Sequence, residues 1–174
     1  MTDEPPRPSR KRQWRSRTTS RLAAVQALYQ LDVTDADLDS VIADFVLHRF
    51  NEAIDGVSYK AADPEHFETV VRGVVRERED VDDMLTAVLS DEWTVERLEP
   101  LLRCVMRAAT FELSDMLDVP ARVVISEYLA VAHAFFAERE PAMVNGVLDA
   151  IARALRPDEM RGGAGAVPAA GAEE

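Results

Sequence analysis

Arginine is the residue whose number and spacing carry the clearest chemical signal in this chain. Seven basic side chains, Arg7, Arg10, Lys11, Arg12, Arg15, Arg17 and Arg21, crowd the first 21 residues beside only two acids, Asp3 and Glu4. Guanidinium groups at this density suit phosphate, which they hold through charge and directed N–H donors together. Single-stranded nucleic acid adds a second need, flat side chains on which unpaired bases stack. Trp14, between Arg12 and Arg15, is of that kind. The rest of the chain has the opposite character: residues 1–21 sum to +5 and the whole chain to −12, which leaves −17 for residues 22–174. A basic arm on an acidic body predicts two surfaces with different partners, phosphate for one and something basic for the other. A solubilising tail on an acidic protein gives the same charge pattern.

Catalytic constellations are missing. His48, His66 and His133 share no ligand spacing with one another or with Cys104, the one cysteine. There is no glycine-rich phosphate loop, Walker motif or G-x-S-x-G elbow. Carboxylates are plentiful, but their pairing depends on placement in space. The chain is therefore expected to be no enzyme and to need no metal or cofactor. One cysteine excludes an internal disulfide, no apolar run approaches the roughly 20 residues that span a bilayer, and nothing after the basic start resembles a signal peptide. A reduced, cytoplasmic setting away from membranes is the expectation.

The elements that must position these groups are helical. Leu22, Val25, Leu28 and Tyr29 line one face of a helix from about Thr19 to Leu31, and Leu38, Val41, Ile42 and Phe45 repeat the pattern. Asp63-Pro64 supplies an N-cap and a first-turn proline for a third helix carrying Phe67, Val70, Val71, Val74 and Val75. Val81, Met84, Leu85, Val88 and Leu89 form a fourth stripe; either Asp80 caps it or the third and fourth helices are one bent rod. Leu101–Leu117 is apolar nearly all round, as befits the centre of a bundle. Val123–Phe136 follows; its opening Arg122-Val123-Val124-Ile125 reads equally as a strand until Tyr128, Leu129, Ala132, Phe135 and Phe136 extend it as a helix. The last helix runs from Pro141 to Leu155. The expected fold is thus an all-α bundle of about seven helices in two halves, about 18–90 and 94–156. A flexible basic arm (1–17) precedes it and a disordered Gly/Ala-rich tail (157–174) follows, holding four of the seven glycines.

Two segments carry a resemblance: Arg21-Leu22-Ala23-Ala24-Val25-Gln26-Ala27-Leu28-Tyr29 and Val144-Asn145-Gly146-Val147-Leu148-Asp149-Ala150-Ile151. Between them stand Phe111-Glu112-Leu113, Asp118-Val119-Pro120 and Val124-Ile125-Ser126-Glu127. In this order and spacing the chain resembles the NusB family of bacterial transcription antitermination factors, from about Arg17 to Ala154 and most weakly across residues 32–92. The resemblance implies two packed three-helix subdomains. It also implies binding to boxA, a short single-stranded RNA element, together with NusE, the tenth protein of the small ribosomal subunit. That pair joins other Nus factors on RNA polymerase for processive transcription of ribosomal RNA operons. NusE is basic, a fit for the acidic body.

The resemblance also points to residues. Arg17 and Arg21 match the family's arginine-rich motif and, four apart, fall on one side of the first helix. Thr18 and Thr19 stand where further basic residues are usual, so the phosphate grip is weakened or moved, with Arg12 and Arg15 placed to make up the difference. Arg107 is either an RNA contact or a satisfied structural charge. Asn145 bonds to RNA or to backbone. Gly146 costs about 1 kcal/mol inside a helix, and close approach of a neighbouring helix is the expected reason for it. Met143 occupies a position usually aromatic in the family, a candidate stacking platform for a base, and Arg139 in the preceding loop flanks the same surface. Two rival readings stand beside this one. Some ribosomal RNA methyltransferases carry a similar helical domain, but here a flexible tail is expected after Leu155 in place of a catalytic half. The other rival is a helical adaptor that binds only protein, as a homodimer hiding the RNA surface.

Overall fold

The computed structural model describes residues 10–51, 53–54, 57–59, 62–90, 92–137 and 139–162, with side chains from residue 16 onward except 51–58. Eight α-helices organise them: α1 (Arg10–Val33), α2 (Leu38–Leu47), α3 (Pro64–Arg76), α4 (Arg78–Val88), α5 (Pro100–Asp115), α6 (Ala121–Phe135), α7 (Arg139–Leu155) and α8 (Pro157–Arg161). A two-residue antiparallel hairpin, Ala53–Ile54 with Val57–Ser58, lies in the α2–α3 connection.

Three helix starts follow from capping side chains. Asp37 caps α2 by accepting from the Ser40 N–H at 3.0 Å. Asp63 caps α3 by accepting from the Glu65 and His66 N–H groups, with Pro64 in the first turn, where a missing donor costs nothing. Glu99 plays the capping role for α5, its Oε2 accepting from the Leu102 N–H at 2.9 Å. The third and fourth stripes are separate helices, divided at Glu77, and Asp80 sits inside the first turn of α4.

Helix α5 is the axle. Eleven of its sixteen residues, Leu102 and Cys104–Leu113, are buried, as expected for a helix apolar on nearly every side. Helices α1 and α3 pack on one side of it, with α2 against α1; α6 and α7 pack on the other. Helix α4 lies against α5 and α7, so in space it joins the second group although it precedes residue 92 in the chain. Phe45, Phe50 and Phe67 form an aromatic cluster at the α2–α3 end, Phe45 and Phe67 stacked at 5.3 Å and Phe50 edge-on to both. Gly73 on α3 rests against the Phe111 ring so closely that a Cβ there would stand 2.0 Å from Phe111 Cζ.

Two expected boundaries move. Helix α1 begins at Arg10, nine residues before Thr19, so much of the expected arm is helical backbone. Beyond Leu155 the chain turns at Arg156 and forms α8, whose Met160 is buried. The reason is Arg156, itself 6% exposed. Its guanidinium donates to the carbonyls of Leu113 (2.8 Å), Val119 (2.6 Å), Glu112 (3.1 Å) and Met116 (3.2 Å). Glu112 and Leu113 lie in the last turn of α5 and Met116 is its C-cap, the stretch where helical N–H donors run out. Residues 163–174 of the expected tail lie outside the described residues, as do residues 1–9 of the arm.

Candidate nucleic-acid interface

The arginine pair of the resemblance divides on folding. Arg17 keeps 29% of its side chain exposed, 3.5 Å from Asp118 in the α5–α6 turn. Arg21 is 1% exposed and therefore no surface contact for RNA, a correction to its expected place beside Arg17. One turn along α1, its side chain dips between α5 and α6. Nε lies 3.1 and 3.0 Å from the two Glu112 oxygens, and Nη1 lies 3.1 Å from Glu127 Oε2. A second guanidinium nitrogen also donates to Glu112. His66 Nε2 approaches the same carboxylate at 3.3 Å, and the Tyr128 ring lies under the Arg21 charge, 5.9 Å to its centroid. Burial pushes the Glu112 carboxyl up; the hydrogen bonds from His66 and Arg21 and their charges overcome it and hold the group at about 2. Arg21 thus fastens α1 to α5 and α6 and so sets the direction in which the arginine-rich turns ahead of it point.

Thr18 donates to Glu127 at 2.5 Å, sharing that carboxylate with Arg21. It is half-buried, a positioning group at the arm's base. Arg12 and Arg15 lie on α1, but their side chains are outside the described residues. The middle of α1 is fixed to the body on its other side as well: the Asp63 N–H donates to Ser20 Oγ at 2.7 Å.

Arg107 is likewise a structural charge, so its reading as an RNA contact is corrected. It is 7% exposed, donates through two nitrogens to the two Asp82 oxygens at 2.7 Å each, and faces Asp32 at 3.4 Å. Asp32 in turn accepts from Arg103 at 2.7 Å and from Arg78. Burial alone would raise the Asp32 carboxyl, but the hydrogen bonds from Arg103 and Arg78 and the nearby guanidinium charges hold it below its ordinary value. Cys104 beside this network is a core thiol, pushed up to about 12 by burial and by the Asp32 charge. Among the described residues no three His, Cys, Asp or Glu side chains gather as metal ligands, and no helix is long and apolar enough to cross a membrane.

The remaining site residues all lie on α7, and the structure brings Arg139 and Met143, but not Asn145, to one groove. Arg139 is exposed at the first position of α7, Met143 is half-buried one turn later, and Asn145 and Gly146 are exposed. Arg139, Met143 and Gly146 line a groove of about 530 Å³ whose other wall is the end of α4 (Val88, Leu89) and Trp93. Trp93, missed as a site residue, is 44% exposed; the signal for it was a lone aromatic in a polar stretch between two apolar helices. Gly146 also departs from expectation, since a Cβ built on it meets nothing within 4 Å. No neighbouring helix accounts for it. The groove includes Leu102 near the start of α5, whereas Arg17 reaches Asp118 just past the end of that helix. At 1.5 Å per residue the two places lie about 20 Å apart along α5.

Comparison with known proteins agrees with this architecture. The NusB family model matches residues 18–153. The transcription antitermination protein NusB of Rhizobium rhizogenes is 44% identical over 140 residues, covering 80% of this chain and 88% of its own length. That of Rhizobium meliloti is 41% identical over 150 residues, covering 86% and 94%. Among solved structures, T. maritima NusB superposes with a TM-score of 0.68 at 30% identity, covering 84% of this chain and 96% of its own. A structure of antitermination factors NusB and NusE in complex with dsRNA gives 0.65 at 25% identity, covering 80% and 98%. From its buried arginine midway along α1 to the open glycine of α7, the chain belongs to the NusB family.

Proposed function

We propose that this protein binds boxA-like single-stranded RNA together with the ribosomal protein NusE and acts as a transcription antitermination factor. In that role it joins other Nus factors on RNA polymerase in the cytoplasm, at ribosomal RNA operons, and turns over no substrate. The observation that carries this reading is the arginine-rich start of α1 in a chain of this family. The helix holds Arg10, Lys11, Arg12, Arg15 and Arg17 within two turns, and one turn further on it is anchored by the buried Arg21–Glu112 pair. A helix so rooted presents cations to phosphate with part of the ordering cost already met. Arg17 and the side chains ahead of it grip the backbone, while Arg139, Met143 and Asn145 meet the strand about 20 Å away. The acidic body, not the arm, supplies the surface for basic NusE. Titration of a boxA-like RNA with the protein alone and with NusE tests the reading. Tighter binding of the pair than of either protein supports it, and equal binding with and without NusE would overturn it.

A further inference from the structure

Neither helix end at the α5–α6 turn is capped from its own sequence. Helix α5 stops at Met116 with no glycine to reverse the chain, and Pro120 ahead of α6 offers no side-chain acceptor. Both caps arrive from the segment after α7, 37 to 44 positions along the chain. Arg156 donates to the Glu112, Leu113 and Met116 carbonyls that end α5, and to Val119 at 2.6 Å. Glu159 Oε2 accepts from the Ala121 N–H at 2.8 Å, while its Oε1 lies 3.5 Å from Arg156 Nη1. Arg122 closes the clasp by donating to the Met160 carbonyl at 3.1 Å. The turn so held is where the arginine-rich helix meets the body. Arg17 lies 3.5 Å from Asp118 in the turn, and Thr18 and Arg21 donate to Glu127 on α6. Glu112 serves both sides: its carbonyl accepts from Arg156 at 3.1 Å and its carboxylate holds Arg21.

We infer that Arg156 and Glu159 are positioning residues for RNA binding: their clasp fixes the α5–α6 turn and with it the direction in which Arg17 presents its guanidinium. The inference rests on the RNA-binding reading above and places two of its determinants where no RNA need touch them. Without the clasp, the last carbonyls of α5 and the first N–H of α6 would have to find water, and the five residues between the helices would rearrange to let them. Asp118 stands on those five residues, and Arg17 would lose the carboxylate that orients it. A guanidinium already held in one direction loses less freedom on meeting a phosphate than one that must first be ordered. Lysine cannot stand in for Arg156, because an ammonium has three donors and no fork to span four carbonyls.

The test uses the full-length protein saturated with NusE and a boxA-like RNA, at a temperature well below melting. Glu159 is 44% exposed, so Glu159→Ala is expected to fold even where Arg156→Lys does not. Glu159→Ala should weaken RNA binding about threefold. It should also make the slope of log affinity against log salt shallower by up to about 0.7, the share of one phosphate contact. Glu159→Gln, which keeps an oxygen for the Ala121 N–H, should restore both, and a folded Arg156→Lys should behave as Glu159→Ala does. In an Arg17→Ala background Glu159→Ala should have no further effect, because the group it orients is gone. NusE affinity should stay at the wild-type value throughout. If wild-type protein fails to bind the RNA, the functional reading falls and this inference with it. If wild type binds and Glu159→Ala keeps its affinity and slope, only the clasp's role is overturned. The same threefold loss with and without Arg17, or a parallel loss of NusE affinity, would make the clasp purely structural and overturn it too.

Discussion

Arg21 on α1 and Glu112 on α5 are 91 residues apart in sequence and meet as a buried, multiply hydrogen-bonded ion pair, 1% and 0% exposed. Removing one member strands the other without water. Arg21→Ala should therefore cost about 3–5 kcal/mol of stability, measured by urea unfolding. The double variant Arg21→Met, Glu112→Met should cost clearly less than the sum of the two single substitutions. Additive costs would mean that the two groups do not depend on each other.

The same pair gives stability a pH dependence. Glu112 is held at about 2 when folded, against 4.5 for the free side chain, so the unfolded state takes up its proton first as acid is added. Its contribution is full above about pH 4.5 and is lost as pH falls from there towards 2. The stability gap between wild type and Glu112→Gln should narrow across that window. A gap constant from pH 6 to pH 2.5 would contradict the assignment.

Arg107→Ala should lower stability while leaving the RNA affinity of the folded protein unchanged, because its guanidinium is spent on Asp82 and Asp32. Thermal melts run beside RNA titrations separate the two effects. A folded Arg107→Ala protein with weakened RNA binding would return Arg107 to the interface.

Gly73→Ala should destabilise the fold by about 1–3 kcal/mol, the usual cost of overpacking, since its new methyl would enter the Phe111 ring. Phe111→Leu added to it should recover part of the loss. The contrast with Gly146 is instructive: close approach was the expectation for Gly146, and of the two helical glycines only Gly73 has it.

The helices were legible because apolar spacing reports burial directly, and Asp63-Pro64 marked a start the structure keeps. The head of α1 was not, since a run of arginines and polar residues has no apolar stripe to follow. Helix α8 was hidden by its proline and by the glycines after it; it is held by Arg156 and Met160, one cation and one apolar side chain in a polar segment. For the site, residue type suggested phosphate chemistry at Arg17 and Arg21 equally. What separates them is Glu112 and Glu127, whose approach depends on how α5 and α6 pack, and no local pattern encodes that. The groove failed to show for the same reason: Trp93 and Met143 are 50 positions apart.

Met143→Phe should leave the fold intact and tighten boxA binding about fivefold, because a flat ring would line the groove where a thioether does now. Met143→Ala should weaken binding by a similar or smaller factor. Lower melting temperatures for both variants, with affinity of the folded fraction unchanged, would show that Met143 only fills space.

The central claim is that cations on the first turns of α1 hold RNA phosphates. It is tested most directly by the slope of log affinity against log salt for a boxA-like RNA bound by the protein with NusE. Each phosphate contact on a single strand adds about −0.7 to that slope. Replacing Arg12 and Arg15 together by alanine, which keeps the helix, should make the slope shallower by about 1.4 with no change in melting temperature. A slope identical to that of the wild type would contradict the claim and leave the arginines as a solubilising head.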